Sequence, residues 1–170
     1  PILYQEGQVH HEQRRQTARF FTPKTVSARY RAMMERLVDR LIAQFRRAGR
    51  ADLSAISMQL AVAVAAEVVG LTDSSVPGLD RRLDAFFTGA LAGKGGWLDR
   101  VRQQLNRRRV LWFFYLDVKP AIRARRRAPR EDVISHLLGK GYNDAEILTE
   151  CVTYAAAGMA TTREFITVAA

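Results

Sequence analysis

The chain has 170 residues, of which 48% are hydrophobic and 26% charged, so it is long enough and apolar enough to bury one core. Its 27 Lys and Arg residues outnumber 17 Asp and Glu residues, and the formal net charge of +10 permits an acidic partner. A single cysteine excludes a disulfide framework and a Cys-rich metal site, and no apolar stretch is long enough to span a bilayer. These counts predict a basic, globular, cytoplasmic protein.

Hydrophobic spacing predicts an all-α fold, with helices along almost the whole chain. Thr22 and Pro23 form a helix start signal, and Gly49 predicts the end of that helix. Pro120 predicts a kink or an early end within a long helix. Asn143, with a glutamate three residues later, predicts a capping box at the start of the last helix. The predicted helices cover residues 9–21, 22–49, 52 or 54 to 71, 79–91, 98–127, 129–139 and 143–170.

The two ends predict an incomplete domain. The sequence begins at Pro1 without a capping residue and stops at Ala170 inside a helical pattern. Each end alone is a weak signal. Together they predict that residues 1–170 form part of a longer protein.

Few residues carry a catalytic or metal-binding signature. His10 and His11 are neighbours, about 100° apart around a helix, so they are poorly placed to chelate one metal. Cys151 lies among apolar residues in the middle of a helix, which favours a buried structural thiol. The arginine runs at 107–109 and 125–127 have the charge to bind nucleic acid, but without interleaved aromatic residues they are more typical of solvated helix faces.

Two segments stand out. His10 and Arg14 are four residues apart and share a helix face, where they present donors to one or two carboxylates, although a surface pair is the alternative. Residues 155–162 combine small side chains with two threonines, and small residues permit the close approach of a flat ligand or of another helix. A local opening of the helix there would free a threonine hydroxyl for other work.

These segments resemble a known family. His10 and Arg14, followed by residues 21–23 (Phe-Thr-Pro), resemble the propionate-contacting helix of bacterial cytochromes P450. Residues 157–162 (Ala-Gly-Met-Ala-Thr-Thr) resemble the oxygen-binding groove in the same family's central helix. The resemblance covers the whole chain and implies the N-terminal-to-middle part of the P450 fold, without the C-terminal half that holds the haem ligand.

The resemblance also implies roles for residues. His10 and Arg14 would bind the haem propionates, Ala157 and Gly158 would open a groove for dioxygen, and Thr161 would support proton delivery. Helix 9–21 would contact the propionates and helix 143–170 would carry the groove. The substrate pocket would be roofed by helices 79–91 and 98–127, with residues 93–96 as a mobile lid.

Two features depart from the family. The acid expected before Thr161 is replaced by Ala160, which cannot relay a proton, and Glu164, one turn further on, is a weak substitute. The family's cysteine loop and Glu-x-x-Arg helix do not occur in these 170 residues, and Cys151 cannot take the ligand's place. We therefore expect the chain alone to be inactive and unable to form a thiolate-ligated haem.

The implied protein is a haem-thiolate monooxygenase that inserts one oxygen atom from O₂ into a small organic substrate, with a ferredoxin-type electron donor and no membrane span. We expect the chain as it stands to self-associate through the exposed side chains of Ala156, Met159, Phe165 and Ile166. The alternative is a basic helical protein that binds nucleic acid or another polyanion. The downstream sequence and the salt dependence of DNA binding would discriminate the two functions.

Overall fold

A computed structural model describes residues 6–91 and 98–169, and every regular element in these ranges is a helix. The α-helices are α1 Gly7–Ala18, α2 Pro23–Thr25, α3 Arg31–Ala48, α4 Leu53–Val69, α5 Leu79–Leu91, α6 Leu98–Phe113, α7 Lys119–Arg127, α8 Val133–Gly139, α9 Asp144–Ala155 and α10 Thr161–Ala169. A 3₁₀ turn, Arg19–Phe21, follows α1, and π turns connect α2 to α3 (Val26–Tyr30), α6 to α7 (Phe114–Val118) and α9 to α10 (Ala156–Ala160). The predicted all-α class is confirmed, whereas the predicted lid at residues 93–96 lies outside the described residues. Within the described ranges, no helix combines the length and the hydropathy needed to cross a membrane.

Side-chain caps start three helices where the sequence predicts them. Thr22 Oγ1 accepts a hydrogen bond from the backbone N–H three residues later, at 3.2 Å. Asp52 Oδ1 accepts from the backbone N–H of Ser54 at 2.8 Å, so Asp52 is the cap of α4 and Ser54 lies inside the helix. Asn143 and Glu146 form a reciprocal capping box at the start of α9, with distances of 3.0 and 2.8 Å. These local contacts fix the helix boundaries without help from the rest of the fold.

The core is centred on α4. This helix is apolar on nearly all sides, and it contacts α3, α5, α8, α9 and α10. Large apolar side chains from several elements are almost fully buried around it: Val69, Leu71, Leu83, Ile122, Ile134, Ile147 and Met159. Burying one such side chain contributes about 1.5–3 kcal/mol, so α4 provides much of the apolar packing.

The expectation that Met159 is exposed is wrong. Met159 is fully buried because the π turn that contains it packs against α4. Phe165 remains 72% exposed in α10, and Ala156 is exposed as well. The apolar surface left on the last helix is therefore narrower than its sequence predicts.

Pro120 alters the backbone hydrogen bonding of the long helix but does not end it. Proline has no N–H, so the carbonyl of Leu116, four residues earlier, loses its helical donor. The backbone N–H of Ser75 donates to that carbonyl at 2.8 Å, and the N–H of Lys119 donates to the carbonyl of Phe114, five residues back. The chain consequently passes through a π turn and continues as α7.

Arg125 is 2% exposed, so the prediction that the run 125–127 is a solvated face is wrong for this residue. Its Nε donates to the Asp132 carboxylate, Nη1 donates to Asp73 at 2.5 Å and Nη2 donates to the Thr72 hydroxyl at 2.7 Å. Burial opposes the charge, but the bonds to the two carboxylates outweigh it and raise the pKa of Arg125. The guanidinium thereby joins α7 to the loop after α4 and to the start of α8.

The Asp132 carboxylate also fills a space that a glycine leaves open. Gly70 ends α4 with a φ of +98°, and a Cβ at this position would lie 2.6 Å from Asp132 Oδ2. Asp132 Oδ1 accepts from the backbone N–H of Ser135 at 2.8 Å and so caps α8. One carboxylate therefore serves the helix cap, the buried ion pair and the close contact at Gly70.

Candidate functional site

The candidate groove is an open strip on the π turn between α9 and α10. Ala156, Ala157 and Gly158 are all exposed, and a Cβ added at Gly158 would meet no atom within 4 Å. Because none of these residues has a side chain beyond Cβ, a flat group can approach the helix backbone closely here.

Thr161 follows the strip as the first residue of α10, and it is exposed. Its hydroxyl donates to the carbonyl oxygen of Ala157. A π turn shifts backbone hydrogen bonds to a five-residue spacing, which removes a carbonyl from the usual ladder. The predicted irregularity in the helix is therefore present. The expectation that it frees the Thr161 hydroxyl is wrong, because this hydroxyl donates its proton to the Ala157 carbonyl. The lone pairs of Thr161 Oγ1 remain able to accept a hydrogen bond.

Glu164 contacts an arginine instead of Thr161. The Arg163 guanidinium lies 2.7 Å from the Glu164 carboxylate and also pairs with Asp84 at 2.5 Å. An exposed, paired carboxylate is poorly suited to replace the acid that Ala160 lacks.

Arg14 lies on the exposed side of α1. No carboxylate among the described residues pairs with its guanidinium, whereas the neighbouring Arg15 lies 2.7 Å from Glu12. The backbone of α1 keeps His10 and Arg14 one turn apart, and the side chain of His10 lies outside the described part of the structure. A permanently charged, unpaired guanidinium is well suited to a carboxylate ligand.

An aromatic contact brings the segment after α1 against the groove helix. Phe21 stacks on Tyr154, with ring centroids 5.7 Å apart and an interplanar angle of 21°. Tyr154 lies about one turn before Ala157 and Gly158. The two sequence motifs, separated by more than a hundred residues, therefore belong to elements in contact.

His136 supports the same arrangement, although sequence analysis did not identify it. Its ring lies edge-on to buried Phe20 at 5.9 Å, and Arg19 Nη2 lies 3.0 Å from His136 Nδ1. Burial, together with the charges of Arg19 and Lys140, lowers the pKa of His136. A neutral imidazole can accept from Arg19, so this contact fixes the 3₁₀ turn against α8.

Two features of the described residues are compatible with a flat, carboxylate-bearing cofactor such as haem. The strip at Gly158 would permit its close approach, and the exposed Arg14 guanidinium is chemically suited to a carboxylate. Cys151 does not fit as the metal ligand, since it is 1% exposed and burial raises the pKa of its thiol. Among the residues that the structure describes, no group of three His, Cys, Asp or Glu side chains could hold a metal ion.

The helices and their order define the helical part of the cytochrome P450 fold. The chain is similar to P450BioI, solved in complex with hexadec-9Z-enoic acid ligated acyl carrier protein, with 22% identity and a TM-score of 0.73 over 96% of this chain and 42% of that one. It is also similar to the LnmZ cytochrome P450 hydroxylase from the leinamycin biosynthetic pathway of Streptomyces atroolivaceus S-140, with 23% identity and a TM-score of 0.65 over 95% of this chain and 44% of that one. The chain thus spans less than half the length of either protein. No protein-family model matches the sequence, and a search of curated proteins gives no match.

Proposed function

We propose that the chain is part of a cytoplasmic haem-thiolate monooxygenase that inserts one oxygen atom from O₂ into a small organic substrate. The observation that carries the proposal is the open strip at Ala157 and Gly158 directly before the Thr161 hydroxyl, within a P450 fold. Haem, when bound by the complete protein, supplies the activation of dioxygen. The residues of this chain would hold the cofactor and take part in proton transfer beside it.

Arg14 and His10 are the proposed propionate ligands. The exposed Arg14 guanidinium, which pairs with no carboxylate among the described residues, can donate two parallel hydrogen bonds to one carboxylate. His10, one turn earlier on α1, adds a second donor. A charge-assisted hydrogen bond of this kind is worth about 1.5–3 kcal/mol, enough to influence how firmly a cofactor is held.

Thr161 is the proposed proton-handling residue. Its hydroxyl donates to the Ala157 carbonyl, and this bond orients the Oγ1 lone pairs so that they can accept from a water molecule in the groove. Since Ala160 carries no acid and Glu164 pairs with Arg163, we assign the proton supply to water or substrate rather than to a neighbouring carboxylate.

The remaining assignments concern the substrate and the electron donor. We assign the roof of the substrate pocket to α5 and to α6 with α7. The excess of basic residues favours an acidic ferredoxin-type protein as the electron donor. P450BioI, which shares the fold, was solved with an acyl carrier protein, and this supports a protein partner for the complete enzyme.

The test is the reduced carbon monoxide spectrum of the complete protein, together with oxygen-dependent product formation. We expect a thiolate-type band from the complete protein and no such band from the 170-residue chain, whose only thiol is buried in α9. A complete protein that takes up no haem and binds DNA with a steep salt dependence would favour the polyanion-binding alternative.

A further inference from the structure

One face of the long helix pair α6–α7 combines exposed aromatic and basic side chains. Trp112 is 66% exposed and Tyr115 is 57% exposed, which is unusual for side chains of this size. They belong to a row at alternating spacings of three and four residues, which we call the α6–α7 seam: Leu105, Arg108, Trp112, Tyr115 and Lys119. Residues at these spacings share one helix face, and the seam is about 21 Å long at 1.5 Å per residue.

The exposed charge along the seam is entirely positive. Arg123, four residues beyond Lys119, is exposed and extends the row. The one carboxylate between residues 104 and 128, Asp117, is fully buried and pairs with Arg82 at 2.6 Å. The seam therefore presents apolar rings and cations to solvent, with no exposed acid of its own in this stretch.

Two of its side chains are already ordered by contacts within the helix. Lys119 Nζ lies 5.0 Å from the ring centroid of Tyr115 and 5.9 Å from that of Phe114. Phe114 in turn packs edge-on to Tyr115 at 5.1 Å. Ordering these groups in advance lowers the entropy cost of binding a partner.

We propose that the α6–α7 seam docks an amphipathic helix of a partner protein, whose apolar stripe is bordered by Asp and Glu. Alternating three- and four-residue spacing is the pattern with which one helix packs along another. Trp, Tyr and Arg are the residue types that dominate binding energy at protein interfaces. Carboxylates beside the partner's stripe would meet Arg108 and Arg123.

The width of the seam favours a protein helix over a lipid surface. Helices that lie in a membrane interface use a broad apolar face. Only exposed Leu111, next to Trp112, widens the row here, and a row of this width is the narrower pattern of helix pairing. The sequence did not reveal this face, because its cations and aromatic residues lie three or four positions apart along the chain and come together only on the helix surface.

The test uses the 170-residue chain and a fluorescein-labelled peptide of about 21 residues, which would form a helix with a leucine stripe bordered by glutamates. We expect saturable binding by fluorescence anisotropy, weakened about tenfold or more by Trp112→Ala and by Arg108→Glu. Trp112→Phe should retain most of the affinity. Arg46→Glu, the same charge change on exposed α3, is the matched control and should bind like the unmodified chain.

The proposal would be overturned if the unmodified chain did not bind the peptide, or if the Trp112→Ala and Arg108→Glu variants bound it as tightly as the unmodified chain. Equally tight binding of a peptide with the same composition in scrambled order would also overturn it. Tighter, seam-dependent binding to phosphatidylglycerol vesicles or to duplex DNA than to the peptide would also overturn it, since the surface would then belong to another class of ligand. Circular dichroism of each variant separates lost binding from lost folding. None of these outcomes depends on haem or on the proposed monooxygenase activity.

Discussion

The π turns Phe114–Val118 and Ala156–Ala160 each join two α-helices, but they differ in the kind of residue that they bury and expose. In the first turn, Asp117 and Val118 are fully buried. In the second, the residues from Ala156 to Gly158 face solvent with almost no side chain. Each turn thus has a buried and an exposed side, but the first buries a charged residue, whereas the second exposes a strip of small residues.

The hydrogen bonds that accompany the two turns differ as well. Pro120 withholds a donor from the first turn, and Ser75, from a distant loop, donates to the vacated carbonyl. In the second turn, the Thr161 hydroxyl donates to the Ala157 carbonyl within its own helix. The first turn is therefore tied to a distant loop, whereas the Thr161–Ala157 bond stays within one stretch of helix.

The largest effect on stability is expected at buried Asp117, in the first π turn. Asp117→Ala removes the partner of Arg82, whose side chain is only 16% exposed, and should lower the free energy of unfolding by about 3–5 kcal/mol. Asp144→Ala, which breaks the exposed pair with Arg126, is the control and should cost less than about 1 kcal/mol. Urea unfolding measures both. Similar losses for the two variants would show that burial adds nothing to the stability contributed by the Arg82–Asp117 pair.

The next effect concerns the cofactor face. In the complete protein, Arg14→Ala should speed haem loss far more than Arg15→Ala. Arg15 pairs with Glu12, whereas Arg14 pairs with no carboxylate among the described residues and shares a helix face with His10. The lost interaction, about 1.5–3 kcal/mol, corresponds to roughly a tenfold or larger change in rate. Transfer of haem to an apoprotein acceptor measures it, and equal rates for both variants would contradict the assigned register.

A smaller effect is expected at Thr161, which follows the second π turn. Thr161→Ala in the complete protein should uncouple O₂ consumption from product formation by less than the ~10²-fold of a fully placed acid–base group, because Ala160 already lacks the usual acid. It should change the free energy of unfolding by less than about 1 kcal/mol, in contrast to Asp117→Ala. Thr162→Ala is the matched control. Unchanged coupling in Thr161→Ala, and in a variant with Ala160→Glu, would exclude this turn from proton delivery.

The smallest effect is a pH dependence at the contact that holds the 3₁₀ turn near the exposed site. The folded state lowers the pKa of His136 below its ordinary value of 6.5, so the unfolded chain binds this proton more readily. The free energy of unfolding should therefore rise with pH from the lowered pKa up to about 6.5 and then level off. In urea unfolding at a series of pH values, His136→Asn should flatten this rise. An equally steep rise in the variant would show that the pH dependence does not come from His136.

The sequence predicts those parts of the fold that short-range chemistry determines. The caps at Thr22, Asp52 and Asn143 depend on atoms two or three residues away, and each occurs where its pattern predicts it. Gly49 ends its helix with a φ of 71°, again a local property of glycine.

Long-range contacts explain what could not be predicted. Arg125 is buried because Asp73, 52 residues away, faces it, and no pattern around 125–127 reveals that partner. Pro120 predicts a disturbance, but its outcome depends on the donor that Ser75 supplies. At the candidate site, the run of small residues predicts the open strip at Gly158, whereas the orientation of the Thr161 hydroxyl follows from the register of a π turn that composition does not specify.

The shared carboxylate of Asp132 limits how this chain can be recombined with other proteins of the P450 fold. A crossover point between Asp73 and Arg125 would bring together a loop and a helix chosen for different partners, and a parent with a larger residue at position 70 would press a side chain onto Asp132. Chimeras that inherit residues 70–132 as one block should keep the ion pair and the helix cap intact. Chimeras that divide the block should fold only when the second parent protein carries the same glycine, aspartates and arginine at these positions.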